Sequence, residues 1–240
     1  MDEKTTRRQI KEEDIGHMYG KKNIVTGDKE LRGEYYKSYL GTIAKRLNNS
    51  WSIHGAHHRN LNIFIHNQIN RLQKDALVLD AGCGLSAWLT PDIENKIKYT
   101  GIDCQEDSIL CCKEMFPKRD YRSGDVYQLP YPDHSFDAIV MREVIEHIKK
   151  PEKAVKEVRR VLKPNGLYIL TTPNYGNPLL YVIEHTYNRF FGGPCKPYLP
   201  DVHPSRFKRS LLSDLLIGFE GVIIETVSFG ISLTAVARKP

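Results

Sequence analysis

The chain has no uninterrupted apolar run near the roughly 18 residues that a membrane helix needs, so neither a membrane span nor a membrane partner is expected. Its opening stretch, MDEKTTRRQIKEED, lacks the apolar segment of a secretory signal, and a cytoplasmic location is expected. There is no CxxC pair. The five Cys are odd in number and Cys111 and Cys112 are adjacent, which points to free thiols in a reducing compartment. Internal repeats and low-complexity tracts are also missing. What is present is a globular balance: 40% hydrophobic and 27% charged residues over 240 positions. That fits one large domain or a domain with a small appendage.

The net charge of +6 is unevenly spread. Residues 1–75 hold 14 basic and 9 acidic side chains, so +5 of the +6 lies there, with five of the nine His. Such a bias attracts anionic substrates or nucleic acid. The excess is small and no RGG or RNP-type pattern accompanies it, so a solvated surface is the simpler account.

Apolar spacing divides the chain into three parts. Residues 1–20 are polar. Residues 30–74 have helical spacing at Leu31, Tyr35, Tyr39 and Ile43 and again at Leu61, Ile65, Ile69 and Leu72, with WSIHGAHHRN at 51–60 interrupting. From residue 76 short apolar runs take over. ALVLD at 76–80, YTGID at 99–103, FDAIVM at 136–141 and LYILTT at 167–172 are buried-strand candidates. Between them lie helical stretches, clearest at 151–162, where Ala154, Val155, Val158, Val161 and Leu162 form one stripe. Pro151 starts this stretch and LKPNG at 162–166 ends it in a turn. Strand–helix alternation predicts an α/β fold, a doubly wound and mostly parallel sheet covered on both faces.

DAGCGLSA at 80–87 supplies Gly82-x-Gly84-x-x-Ala87, and Asp103 follows Gly84 by 19 residues. Glycines for a tight turn and a later carboxylate for ribose hydroxyls are the dinucleotide fingerprint. Asp80, two residues before Gly82, argues against a pyrophosphate, which it would repel. It favours a nucleoside with a cationic tail, S-adenosylmethionine.

GDVYQLPYPDHSFDAIV at 124–140, MREVIEHI at 141–148 and RRVLKPNGLYILTTPN at 159–174 follow in order. Together with the glycine loop they resemble the class I S-adenosylmethionine-dependent methyltransferases of Rossmann-like fold. The resemblance covers 76–174 well and 205–238 more loosely. It implies that Asp80, Gly82, Cys83 and Gly84 line the methionine moiety and that Asp103, with Cys104 beside it, holds the ribose. It further implies that Asp125 and Val126 frame the adenine, that Met141 and Arg142 lie beside the sulfonium, and that the last strand runs antiparallel. Many relatives have Thr-Gly where this chain has Leu85-Ser86; Ser86 is small enough for the bend.

A methyl sulfonium is already activated, so positioning an acceptor supplies much of the rate, and an oxygen acceptor also needs its proton removed. Glu143, Glu146 and His147 stand at i, i+3 and i+4 and would share a face if that segment is helical. His203 follows in YLPDVHPSRF. His147 and His203 are the candidate catalytic imidazoles, expected to meet at the carboxyl edge of the sheet. With Glu143 and Glu146 they would also suit a divalent metal, Mg or Mn. That set resembles small-RNA 2′-hydroxyl methyltransferases and partly the ubiquinone-pathway O-methyltransferases, although E-x-x-E-H also occurs without metal.

His54, His57 and His58, around Trp51, suit a lid or an inert surface. Tyr175, Tyr181, Tyr187, Phe190 and Phe191 suit an acceptor wall or ordinary packing. The expected organisation is a helical extension or lid at 1–74 and a cofactor-binding domain at 75–240 with an inserted acceptor flap at 175–205. The expected function is methyl transfer to a small-molecule acceptor, at oxygen. The rivals are an RNA 2′-hydroxyl methyltransferase with a divalent metal, an inactive S-adenosylmethionine-binding relative, and a nicotinamide-dependent dehydrogenase.

Overall fold

The computed structural model describes residues 53–86, 88–183 and 203–240. Seven strands form one sheet: β1 (Ala76–Ala81), β2 (Ile97–Asp103), β3 (Asp120–Ser123), β4 (Phe136–Arg142), β5 (Leu162–Pro173), β6 (Glu220–Val227) and β7 (Ser232–Arg238). Their spatial order is β3-β2-β1-β4-β5-β7-β6. Pairing is parallel from β3 through β5, and β7 is antiparallel to both β5 and β6. The alternation of short apolar runs therefore does give a mostly parallel α/β sheet, with the last strand reversed.

Among the described residues there are six α-helices: α1 (Ile53–Ile69), α2 (Pro91–Glu94), α3 (Glu106–Met115), α4 (Pro151–Val161), α5 (Pro178–Val182) and α6 (Arg209–Leu215). On one face Ile65 and Ile69 of α1, with Ile109 and Cys112 of α3, pack against Val78, Val140 and Ile169. On the other, Ala154, Val155, Val158 and Val161 of α4 and Leu212 of α6 meet Leu79, Ile139, Met141 and Leu170. Each fully buried Leu or Ile contributes roughly 1.5–3 kcal/mol of transfer free energy. The central strands are apolar throughout because both of their faces are covered.

Two local expectations change. The stretch 51–60 does not interrupt the helical pattern: from Ile53 onward it is the first half of α1. The buried stripe Leu61, Ile65 and Ile69 secures the second half, and the polar first half continues along the same axis. LKPNG at 162–166 bends the chain, with Asn165 at φ 60, but lies within β5, where the register with β4 shifts. The chain's last two described strands, β6 and β7, are joined at Ser228, Phe229 and Gly230, all at positive φ. Residues 1–52 and 184–202, and with them the pattern at 31–43 and the wall candidates Tyr187, Phe190 and Phe191, lie outside the described residues. Among the described residues no helix is long and apolar enough to cross a membrane.

Candidate functional site

The carboxyl ends of β1, β2, β4 and β5 converge on one edge of the sheet. After β1 the chain reverses through Gly82 at φ 81 and Gly84 at φ 49. A Cβ on Gly82 would lie 2.5 Å from Val144 Cγ2, so the close approach of the loop to the segment after β4 requires glycine. Among the described residues nothing lies within 4 Å of the Cβ position at Gly84, which leaves open backbone for a ligand to approach. The loop is held from β2: Gly82 and Cys83 donate their N–H groups to the Ile102 carbonyl at 2.8 and 3.0 Å. Asp103 Oδ2 accepts the Gly84 N–H at 2.9 Å, while Oδ1 accepts that of Gln105 at 2.8 Å. Burial raises the Asp103 carboxyl against the opposing pull of those backbone donors.

Asp80 faces the other way. It is 1% exposed, and its Oδ2 accepts from Trp88 Nε1 at 2.8 Å and from the Tyr99 hydroxyl at 2.9 Å. Ser86 Oγ stands 2.5 Å from the same Tyr99 hydroxyl. Burial pushes the Asp80 carboxyl up to about 7, with the two side-chain donors opposing it.

After β4 the chain does not form an α-helix. Glu143 adopts φ 54, and a single 3-10 turn spans Ile145–His147. Glu143 is tied to β5: its N–H donates to Thr171 Oγ1 at 3.1 Å, and the Thr171 hydroxyl donates to Glu143 Oε1 at 2.9 Å. Glu146 is buried, and Thr172 Oγ1 donates to its Oε2 at 3.1 Å. Its Oε1 lies 3.8 Å from His147 Nε2. His203 stacks edge-on against His147, ring centroids 4.6 Å apart, and its Nδ1 is 2.5 Å from the Tyr175 hydroxyl. The segment carrying His203 is fastened to that turn: Ser205 donates its N–H to the Glu146 carbonyl at 3.2 Å and its hydroxyl to that of Ile148 at 2.6 Å. Ligand atoms of Glu146, His147 and His203 all lie within 4.8 Å of one another.

Helix α1 reaches the same edge. His58 Nδ1 is 2.6 Å from Arg142 Nη2, His57 Nε2 is 3.5 Å from Ser232 Oγ, and Asn60 Nδ2 donates to Ser228 Oγ at 3.2 Å.

The family pattern described as a methyltransferase domain matches residues 79–170, from β1 through β5. The chain contains a class I S-adenosylmethionine-dependent methyltransferase domain. It is 37% identical over 99 residues to a probable S-adenosylmethionine-dependent methyltransferase of Mycolicibacterium smegmatis, a match covering 40% of this chain and 38% of that protein. A demethylmenaquinone methyltransferase of Staphylococcus epidermidis is 28% identical over 126 residues, 50% of this chain and 52% of the relative. The chain thus matches about half or less of these relatives' length. A solved Pyrococcus horikoshii protein shares the fold, with a TM-score of 0.62 at 21% identity over 78% of this chain and 92% of that one.

Several expected residues of the methyltransferase domain sit differently from the sequence reading. Asp80 was expected at the mouth of the loop lining the methionine moiety; it lies beneath the loop, because Trp88 and Tyr99 draw its carboxyl to the α1 face. Met141 was expected beside the sulfonium; it is fully buried, and its sulfur accepts from the Tyr168 hydroxyl at 3.3 Å. Glu143 leaves the expected four-residue metal set, because its positive φ and its tie to Thr171 turn it away from the cluster. Val126 is buried in the core, while Asp125 is exposed and its Oδ1 accepts the Tyr127 N–H at 2.8 Å. Cys83 and Cys112 are buried thiols that burial pushes up in pKa, Cys112 to about 12, so neither is a nucleophile. Cys104 is an exposed thiol next to Asp103.

Sequence reasoning missed Trp88, Tyr99, Thr171 and Thr172. All four act by reaching a carboxyl 8 to 28 residues away. The available signal was the position of the two threonines at the carboxyl end of a buried strand, where polar residues have a partner or a ligand.

Proposed function

We propose that the protein transfers a methyl group from S-adenosylmethionine to an oxygen of a small-molecule acceptor. The observation that carries this reading is the His147–His203 pair, fixed at the sheet edge that also holds the glycine loop and Asp103. Asp103 and the open backbone at Gly84 would hold the donor, with Asp125 at the adenine end. The donor supplies an activated methyl group; the chain's task is to orient the acceptor, exclude water and take a proton. Burial and the neighbouring His147 and Arg206 drive His203 down to about 3, so it stays neutral and orients instead of titrating. His147, 27% exposed and beside the Glu146 carboxyl, is then the group that would accept the acceptor's proton. The demethylmenaquinone methyltransferase among the relatives supports a small-molecule acceptor.

A second reading has its own support. One carboxylate and two imidazoles within 4.8 Å fit a divalent cation such as Mg or Mn. Glu146, His147 and His203 would hold it, and it would acidify a bound hydroxyl, as an RNA 2′-hydroxyl methyltransferase would need.

The test is S-adenosylhomocysteine release by the full chain over a panel of phenols, catechols, sugars and short RNA, with and without chelator. Release with a hydroxylated small molecule that survives chelator is expected. Release only with RNA, restored by Mg²⁺ or Mn²⁺ after chelation, would replace the first reading with the second.

A further inference from the structure

Arg142 is the last residue of β4, and its guanidinium is only partly satisfied. Its Nη2 donates to His58 Nδ1 at 2.6 Å, which needs that ring nitrogen unprotonated and so an uncharged acceptor. Its Nε is buried and has no hydrogen-bond partner. Among the described residues no carboxylate lies within ion-pair distance of it, although its charge is felt at Asp80, Glu143 and Glu146. Each of those carboxyls is spent elsewhere: Asp80 on Trp88 and Tyr99, Glu143 on Thr171, Glu146 on Thr172. A guanidinium does not deprotonate in proteins, so the cation remains.

A cation with no carboxylate in ion-pair reach and with an orphaned buried donor is costly, and it would also oppose the sulfonium expected at this edge. An anion removes both costs. The planar fork of a guanidinium matches a carboxylate in two parallel hydrogen bonds, with Nε as one of the donors. His58 and the neighbouring His57, ring centroids 5.4 Å apart, come from α1, so the N-terminal helix fixes the guanidinium from behind without neutralising it. Burial and the nearby Arg142 hold His57 down to about 4, and it too stays uncharged.

We infer that Arg142 is the receptor for a ligand carboxylate, carried either by the methyl acceptor or by the methionine end of the donor. This rests on the reading that donor and acceptor meet at this edge, but the test needs no turnover. Full-length wild type, Arg142→Gln and Arg142→Lys are titrated calorimetrically with S-adenosylhomocysteine and with 5′-methylthioadenosine, which lacks the amino-acid carboxylate. Benzoate is then titrated in the presence of 5′-methylthioadenosine and, separately, of S-adenosylhomocysteine.

If the carboxylate is the donor's, Arg142→Gln weakens S-adenosylhomocysteine by about 10- to 100-fold and leaves 5′-methylthioadenosine unchanged, with Arg142→Lys in between. If it is the acceptor's, both nucleosides bind alike in all three proteins, and benzoate binds wild type with S-adenosylhomocysteine present but not Arg142→Gln. A merely structural role would lower both nucleosides together, and that result overturns the inference. So does identical binding of all three probes to wild type and Arg142→Gln, or no benzoate binding together with unchanged S-adenosylhomocysteine.

Discussion

The proposed donor half of the site and the proposed acceptor half are built by different means. In the donor half, polar groups are paired over short sequence distances: Trp88 with Asp80 at a separation of 8, and Gly84 and Tyr99 with their carboxyls at 19. A strand, a glycine turn and the next strand suffice to assemble it. The acceptor half is stitched from segments far apart: Tyr175 to His203 at 28, Ser205 to Ile148 at 57, His58 to Arg142 at 84, Ser232 to His57 at 175. A shared sulfonium donor needs one fixed local frame. An acceptor that differs from enzyme to enzyme is met by parts that can vary independently.

The two halves should therefore separate under mutation. Large effects are expected from His147→Ala and His203→Ala, which should each lower turnover by about 10²- to 10⁴-fold while S-adenosylhomocysteine binding stays within a few fold. Full activity in both variants, with and without chelator, would remove the imidazoles from the reaction. Deleting residues 1–60 takes away His57, His58 and Asn60 and should abolish turnover with the nucleoside still bound. A truncated enzyme at wild-type rate would detach α1 from the acceptor half. In the donor half the pattern reverses: Asp103→Ala should weaken S-adenosylhomocysteine by about 1.5–3 kcal/mol, through hydrogen bonds to a charged group left unmade. An unchanged dissociation constant would take Asp103 out of the ribose site.

The smallest effect concerns stability alone. Burial holds the Asp80 carboxyl up at about 7 in the fold, above the 3.8 of the free side chain. Between those values the native state binds the extra proton, so its contribution to stability is full at low pH and is lost as pH rises through that window. Asp80→Asn keeps an acceptor for Trp88 and Tyr99 and cannot ionise. It should be more stable than wild type at pH 8 and lose most of that advantage near pH 4. Denaturant melts at the two pH values measure this, and a difference independent of pH would mean that the folded carboxyl is ionised throughout.

The donor half was largely legible in the chain because its signals are periodic and local. ALVLD and YTGID read as strands, and the glycine spacing marked the turn. The donor inferred from Asp80 is the one that the family implies, yet the carboxyl lies under the loop. Which face of β1 it uses is decided by Trp88 and Tyr99, and no spacing rule reports that choice. The E-x-x-E-H stretch suggested one helical face; the positive φ at Glu143 breaks it, and left-handed geometry at a glutamate leaves no compositional trace. The meeting of the 147 and 203 imidazoles was foreseen from topology, since strand ends β4 and β5 share an edge. The tie between α1 and Arg142 was not foreseen, because nothing in a helix sequence states which strand end it crosses.

The reversed strand has a consequence for how the chain is made. β7 comes last among the seven strands, yet it lies between β5 and β6, paired on both sides. A ribosome delivers residues in order, so β1 through β5 can assemble while β5 still has one unpaired side. From Leu167 to Pro173 that side is an apolar strand with every backbone group open until Ser232–Arg238 emerges. Chains stalled before Ser232 would expose a template for sticking to one another.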